Sequence, residues 1–211
     1  VGGNTPCIEV NVGQTLIILD AGSGLRPLGL ELMKGKCGCG QGVVHIFLTH
    51  LHWDHIQGFP FFAPAYVPGN RIFVYSPHNN VAQLLADQQR AELFPIPLGS
   101  MQADIEFVRL EERDTISLDE VRIHNTPLAH PGGSYGYRLE SDQACIVYAT
   151  DAEYKELGEI DTKKYIDFFK EADVLIFDSQ YTLVQSFIEK EDWGHSSSFI
   201  GSDMATRAGV K

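Results

Sequence analysis

Short apolar runs rich in Val, Ile, Phe and Tyr alternate along the chain with longer stretches whose apolar positions recur every three to four residues. The short runs predict strands from Cys7 to Val12, Thr15 to Asp20, Val43 to Thr49, Arg71 to Ser76, Ile105 to Leu110, Val121 to Thr126, Ser134 to Glu140, Ala144 to Thr150 and Ala172 to Asp178. Helices are predicted from Leu25 to Lys34, Asn80 to Glu92, Thr162 to Glu171 and Ser196 to Ala208, the last opened by serines suited to an N-cap. Strands occur in both halves with helices between them, the pattern of an α/β (α+β) protein whose sheets carry helices on their outer faces. Lys34 to Gly42 (KGKCGCGQG) reads as a flexible Gly-rich loop.

Composition narrows the function classes. The 211 residues fit one domain, so residues 1–211 are expected to form a single unit. No apolar run approaches the ~18 residues of a membrane span. With no initiator Met and an end at Lys211 directly after a helical pattern, the chain reads as truncated at both ends. A formal charge of -12 opposes binding to long RNA or DNA. Cys7 and Cys145 lie in apolar strand-like runs, where a thiol acts as a small hydrophobe, and a reducing, cytoplasmic setting is the expectation.

The segment that carries chemistry is Thr49-His50-Leu51-His52-Trp53-Asp54-His55, directly after the apolar run Val43 to Leu48. Three imidazoles and a carboxylate within six residues, in a loop leaving a strand, converge on a small volume. Neutral imidazole with carboxylate is the donor set of zinc and similar divalent metals. Without a metal, such a cluster crowds polar groups that each need a partner.

This H-x-H-x-D-H loop resembles the signature of the metallo-β-lactamase-fold superfamily of metal-dependent hydrolases, and the resemblance covers nearly the whole chain. Asp20 in Ile17-Ile18-Leu19-Asp20 resembles that family's strand-end aspartate, His130 in Leu128-Ala129-His130-Pro131 its third-site histidine, and Asp151 in Tyr148-Ala149-Thr150-Asp151 its bridging aspartate. The resemblance implies a four-layer αββα sandwich with the site at the edge where two sheets meet. It implies two divalent ions, zinc first and manganese or iron as alternatives. His50, His52 and His130 would ligate one ion, Asp54 and His55 the other, with Asp151 bridging. A water between two such cations is deprotonated near neutral pH and attacks without a covalent enzyme intermediate. His52, where iron redox relatives carry glutamate, points to hydrolysis. Asp20 is expected to orient an imidazole by a hydrogen bond. His45, His124 and His78 read as face, core or turn histidines.

His195, in Trp193-Gly194-His195-Ser196, stays open between two roles. In a glyoxalase-like branch a histidine at this distance ligates the second metal. In the branch resembling ribonuclease Z, a Gly-His-Ser segment opening a helix supplies a proton-handling histidine and the final ligand follows later. The run Ala172 to Asp178 before it favours the second branch: His195, oriented by Asp178, donates a proton to the leaving alkoxide, and the second metal site is incomplete in this chain.

The substrate expected is a small anionic one, a small or cyclic phosphodiester. His130 and Asp151 are 21 residues apart, an interval filled by two strands and a turn, with no room for the long arm that grips tRNA in ribonuclease Z enzymes. Residues 151–192 hold 12 acidic and five basic residues, which opposes a polyphosphate backbone. Hydrolysis of an ester, thioester or lactone is the alternative, with Gly58-Phe59-Pro60-Phe61-Phe62-Ala63-Pro64 lining an acyl pocket or packing as core. A low-turnover sensor domain of a larger protein is a third reading, and a homodimer is compatible with the sequence.

Overall fold

The computed structural model describes residues 3–155 and 157–211, which divide into two compact units, residues 1–110 and 111–211.

The first unit holds a five-stranded sheet in the order β1 (Ile8–Val12), β2 (Thr15–Leu19), β3 (Val43–Phe47), β4 (Arg71–Ser76) and β5 (Asp104–Arg109). β1 and β2 form an antiparallel hairpin, while β2 to β5 run parallel. Parallel neighbours need crossovers, and α1 (Leu25–Leu32) and α3 (Val81–Gln88) lie in two of them. The core of this unit gathers Ile18, Leu25, Val44, Ile46, Phe59, Phe62, Ile72 and Val74. Phe59 and Phe62 are thus core residues, and only Phe61 of that aromatic loop is exposed, edge-on to Phe94. Helix α3 stops short of the predicted Glu92 because the buried Gln89 turns its amide to the Ile96 carbonyl, 3.1 Å away.

The segment expected as a flexible loop is instead a packed turn. Lys36–Cys39 form a 3-10 turn with Cys37 buried, and the buried Asn70 holds it in place. Asn70 donates to the Cys37 carbonyl at 2.9 Å and accepts from Gly42 N–H at 2.8 Å. A single asparagine 33 residues downstream of Cys37 supplies the order that local composition does not show.

The second unit holds β6 (Thr115–Leu118), β7 (Val121–Leu128), β8 (Ser134–Glu140), β9 (Cys145–Ala149) and β10 (Val174–Phe177), in the order β10-β9-β8-β7-β6. β6 to β9 form an antiparallel meander, and β10 joins β9 in parallel after α4 (Glu159–Phe169). β6 escapes sequence reading because four residues give too few alternations to register. β7 runs past the predicted Thr126 through Pro127, which pairs with Tyr135 of β8. β6 pairs only as far as His124, so Pro127 lies where that edge is free and no ladder N–H is needed. Tyr165 and Phe169 of α4 pack with Ile200, Met204 and Ala208 of α5 (Ser198–Ala208). Ser197 caps α5, its Oγ accepting from Ile200 N–H. Among the described residues, no helix is long and apolar enough to cross a membrane.

Candidate functional site

In the first unit, chemistry gathers at the carboxyl ends of β2 and β3. β2 ends at Asp20, fully buried with φ of 63°, a left-handed conformation that aspartate tolerates better than most residues. Its backbone N–H donates to the Phe47 carbonyl at 2.9 Å, which fixes the carboxylate beside the segment leaving β3. One turn of helix, α2 (Trp53–Ile56), follows and brings His55 back toward His50. The rings of His50 and His55 lie 4.1 Å apart and those of His50 and His52 4.6 Å apart. Asp54 Oδ2 is 3.6 Å from His55 Nε2. His50 and His55 are buried, whereas His52 and Asp54 face solvent. Gly58 N–H donates to the Ala21 carbonyl, and a Cβ on Gly58 would collide with the Gly22 carbonyl oxygen, so the two loops touch backbone to backbone.

Asp20 organises this cluster. It accepts from Thr49 N–H at 2.8 Å, from the Thr49 hydroxyl at 3.0 and 2.9 Å, and from His55 Nδ1 at 2.8 Å. An ionised carboxylate only accepts, so His55 carries its proton on Nδ1. The Thr49 hydroxyl is spent on Asp20, and its oxygen therefore accepts from His50 Nδ1 at 3.0 Å. One buried carboxylate thus sets the tautomer of two imidazoles and leaves Nε2 of each as the basic nitrogen.

The second unit repeats this logic. Asp151 follows β9 with φ of 51°, the same left-handed turn that Asp20 makes after β2. Its Oδ1 accepts from the Thr150 hydroxyl at 2.9 Å, and its Oδ2 lies 3.9 Å from His130 Nε2. His130 Nδ1 donates to the Gly194 carbonyl at 2.7 Å. Gly194 has φ of 80°, and a Cβ there would collide with Pro131 and His130, so only glycine fits. The next residue, His195, donates from Nδ1 to Asp178 Oδ2 at 2.9 Å. Asp178 also accepts from Ala152 N–H at 3.2 Å and Gln180 N–H at 3.1 Å. The ligand atoms of His130, Asp151 and His195 lie within 4.8 Å of one another.

Each predicted residue is thereby located. His50, His52, Asp54 and His55 converge in the first unit, and His130, Asp151 and His195 converge in the second. Asp178 stands behind His195 and accepts from its Nδ1. Asp20 orients His55, as its position at a strand end suggests. His45 lies on β3 with Nδ1 3.0 Å from the Tyr75 hydroxyl, and His124 on β7 with Nδ1 2.7 Å from the Thr115 hydroxyl. Two organisers escape sequence reading. Thr49 couples Asp20 to His50, and the only signal is its place before the motif. The buried Glu153 receives Asp192 N–H at 3.0 Å and Gly194 N–H at 3.3 Å, holding the loop that carries His195. A carboxylate between Ala152 and Tyr154 is a signal in retrospect.

The residues fit divalent metal ions on donor chemistry. Four imidazoles, His50, His55, His130 and His195, are each anchored through Nδ1 by an acceptor outside the cluster. Anchoring of this kind fixes ring orientation and raises ligand basicity at Nε2. Neutral imidazole and carboxylate donors suit zinc and its borderline neighbours.

A family model described as beta-lactamase superfamily domain matches residues 15–208. The chain is 28% identical over 169 residues to a ribonuclease Z of Haloarcula marismortui, covering 77% of this chain and 50% of that protein, so it spans half the length of this relative. Among solved structures, the metallo-beta-lactamase fold protein YhfI from Bacillus subtilis superposes with a TM-score of 0.70 at 19% identity, over 98% of this chain and 75% of that one. A diphosphatase from the PhnP family superposes with a TM-score of 0.67 at 20% identity, over 98% and 70%. These likenesses establish the fold.

Proposed function

Since the chain belongs to the β-lactamase superfamily, we propose that it is a metal-dependent hydrolase acting on small or cyclic phosphodiesters. The observation that carries this reading is the anchoring of His50, His55 and His130 through Nδ1, which leaves three Nε2 atoms as preset metal donors. The proposed ligands of two divalent ions, zinc by donor type, are His50, His52, Asp54 and His55 from the first unit and His130 and Asp151 from the second. When bound, such ions supply Lewis acidity toward a phosphoryl oxygen and a nucleophilic water at neutral pH.

The chain's own residues then have separable tasks. Asp20 and Thr49 hold His55 and His50 in the ligand tautomer. His195 protonates the leaving alkoxide from Nε2, while Asp178 holds Nδ1–H and stabilises the imidazolium before transfer. Similarity to a ribonuclease Z and to a diphosphatase supports chemistry at phosphorus. The segment from His130 to Asp151 is taken up by β8 and β9, which leaves no space for a long RNA-gripping arm and favours a small substrate. Phe59 and Phe62 are packed in the core, which leaves Phe61 as the one exposed aromatic of the loop named for the acyl-ester alternative.

The test is a panel containing bis(4-nitrophenyl) phosphate, a cyclic nucleotide and 4-nitrophenyl acetate, assayed with zinc, manganese or iron. Diester cleavage that stops on chelation is expected. Rapid acetate cleavage with no diesterase activity would overturn the proposal.

A further inference from the structure

The loop after β4 and the carboxyl end of β5 border a cleft of about 200 Å3 that the proposed hydrolytic residues do not use. Its polar wall is formed by Ser76, His78, Asn79, Asn80 and Arg109, over a floor that includes Val74 and Phe107. Arg109 ends β5, and two neighbours fix its guanidinium plane: Nε donates to the Leu110 carbonyl at 2.9 Å, and Nη1 donates to Asn79 Oδ1. Among the described residues, Nη2 has no protein acceptor and no carboxylate pairs with this cation. In a chain of net charge -12, an arginine without an acidic partner at the rim of a cleft is a positive focus that the surrounding composition does not explain.

The cleft adjoins the motif loop within the same unit. The His78 backbone N–H donates to Ser76 Oγ at 3.2 Å. Ser76 Oγ in turn donates to the Leu48 carbonyl at 3.4 Å. The turn after β4 is therefore tied to the residues immediately before His50. Both segments leave the carboxyl ends of parallel strands, where open α/β sheets bind ligands.

We propose that this cleft is a second anion subsite, taking a phosphate group of the substrate remote from the scissile diester. The planar fork of Arg109 matches phosphate oxygens, and the amides of Asn79 and Asn80 supply neutral donors beside it. The subsite selects diesters that carry a second phosphate over those that carry one. This proposal rests on the phosphodiesterase reading, and its test separates the two.

Inorganic phosphate is titrated calorimetrically into metal-free wild-type, R109K and R109Q chains. The exposed Arg109 makes these variants compatible with folding, which circular dichroism verifies. Loss of a charge-assisted contact is expected to raise the dissociation constant roughly tenfold in R109Q, with R109K between. With metal restored, kcat/KM is compared for thymidine 3′-phosphate 5′-(4-nitrophenyl phosphate) and thymidine 5′-(4-nitrophenyl phosphate). Wild type is expected to favour the first roughly tenfold, and R109Q to abolish the preference through KM with kcat unchanged. Equal phosphate affinity in wild type and R109Q, or a wild-type preference near one, overturns the subsite. If neither diester is cleaved while phosphate binding still depends on Arg109, the hydrolytic reading falls and the anion site stands.

Discussion

Replacing Asp20 with asparagine tests the premise that one buried carboxylate presets the metal-binding imidazoles. Asn tolerates the left-handed backbone of position 20, so the change isolates chemistry from strain. In the native chain the carboxylate takes three donors, Thr49 N–H, the Thr49 hydroxyl and His55 Nδ1–H, with none of its surface exposed. An amide accepts through one oxygen, and its NH2, turned to His55, forces the ring proton from Nδ1 to Nε2. The ligand lone pair is then lost at the nitrogen that needs it. Hydrogen bonds to a charged group contribute about 1.5–3 kcal/mol each. With two weakened and one retained, D20N should lose roughly 3 kcal/mol of stability, lowering the melting temperature of the metal-free chain by about 6–12 °C. Metal affinity through His55 should fall ~10- to 100-fold. Competition with a chromophoric chelator measures the affinity, and 15N-detected NMR of the imidazoles reads the tautomer directly. A D20N chain with wild-type metal affinity and His55 still protonated at Nδ1 would refute the reasoning.

Three further outcomes are expected. His195→Ala should keep full metal content and lose ~10²- to 10⁴-fold in rate on alkyl leaving groups, with little change for 4-nitrophenolate, which needs no proton; loss of one metal equivalent by elemental analysis would make His195 a ligand instead. Gly58→Ala should cost about 2–4 kcal/mol in urea unfolding, because the new methyl meets the Gly22 carbonyl; a change below roughly 0.5 kcal/mol would show that the loop gives way. Burial, with smaller contributions from Asp20 and Glu9, pushes the Cys7 thiol up to about 12. The native state therefore holds this proton more tightly than the unfolded chain does, so the associated stability is intact below pH 9 and is lost as pH rises from 9 toward 12. The full loss amounts to roughly 4 kcal/mol, and Cys7→Ala should flatten this alkaline limb of the stability profile; identical limbs would assign it to other groups.

Much of the site is legible in the sequence because its donors lie close together or at strand ends. The loop from His50 to His55 announces itself by density, and Asp20 and Asp151 by ending apolar runs. Nine strands are legible through their β-branched and aromatic content, with ends displaced by one or two residues, inward where backbone pairing stops before the apolar run does and outward in β7, whose pairing continues past it. What stays hidden depends on partners remote in sequence. Asn70 orders a glycine-rich turn that composition presents as loose. The Gly194 carbonyl fixes His130 from 64 residues away, and no local pattern signals a backbone acceptor. Glu153 is invisible for a related reason: its partners are backbone N–H groups of Asp192 and Gly194, which every sequence carries.

The different connectivities of the two sheets bear on how the molecule is refolded. β6 to β9 close through short turns, so their pairing requires little loop closure. β2 to β5 pair only after crossovers of more than 20 residues each, and such non-local pairing is slow. During refolding, pairing of the β6 to β9 meander is therefore expected before Asp20 meets Thr49 and His55. Divalent cation added at the outset encounters histidines that Asp20 and Thr49 do not yet hold. Cation withheld until the parallel sheet has closed encounters a loop in which Asp20 and Thr49 already hold His55 and His50 by Nδ1.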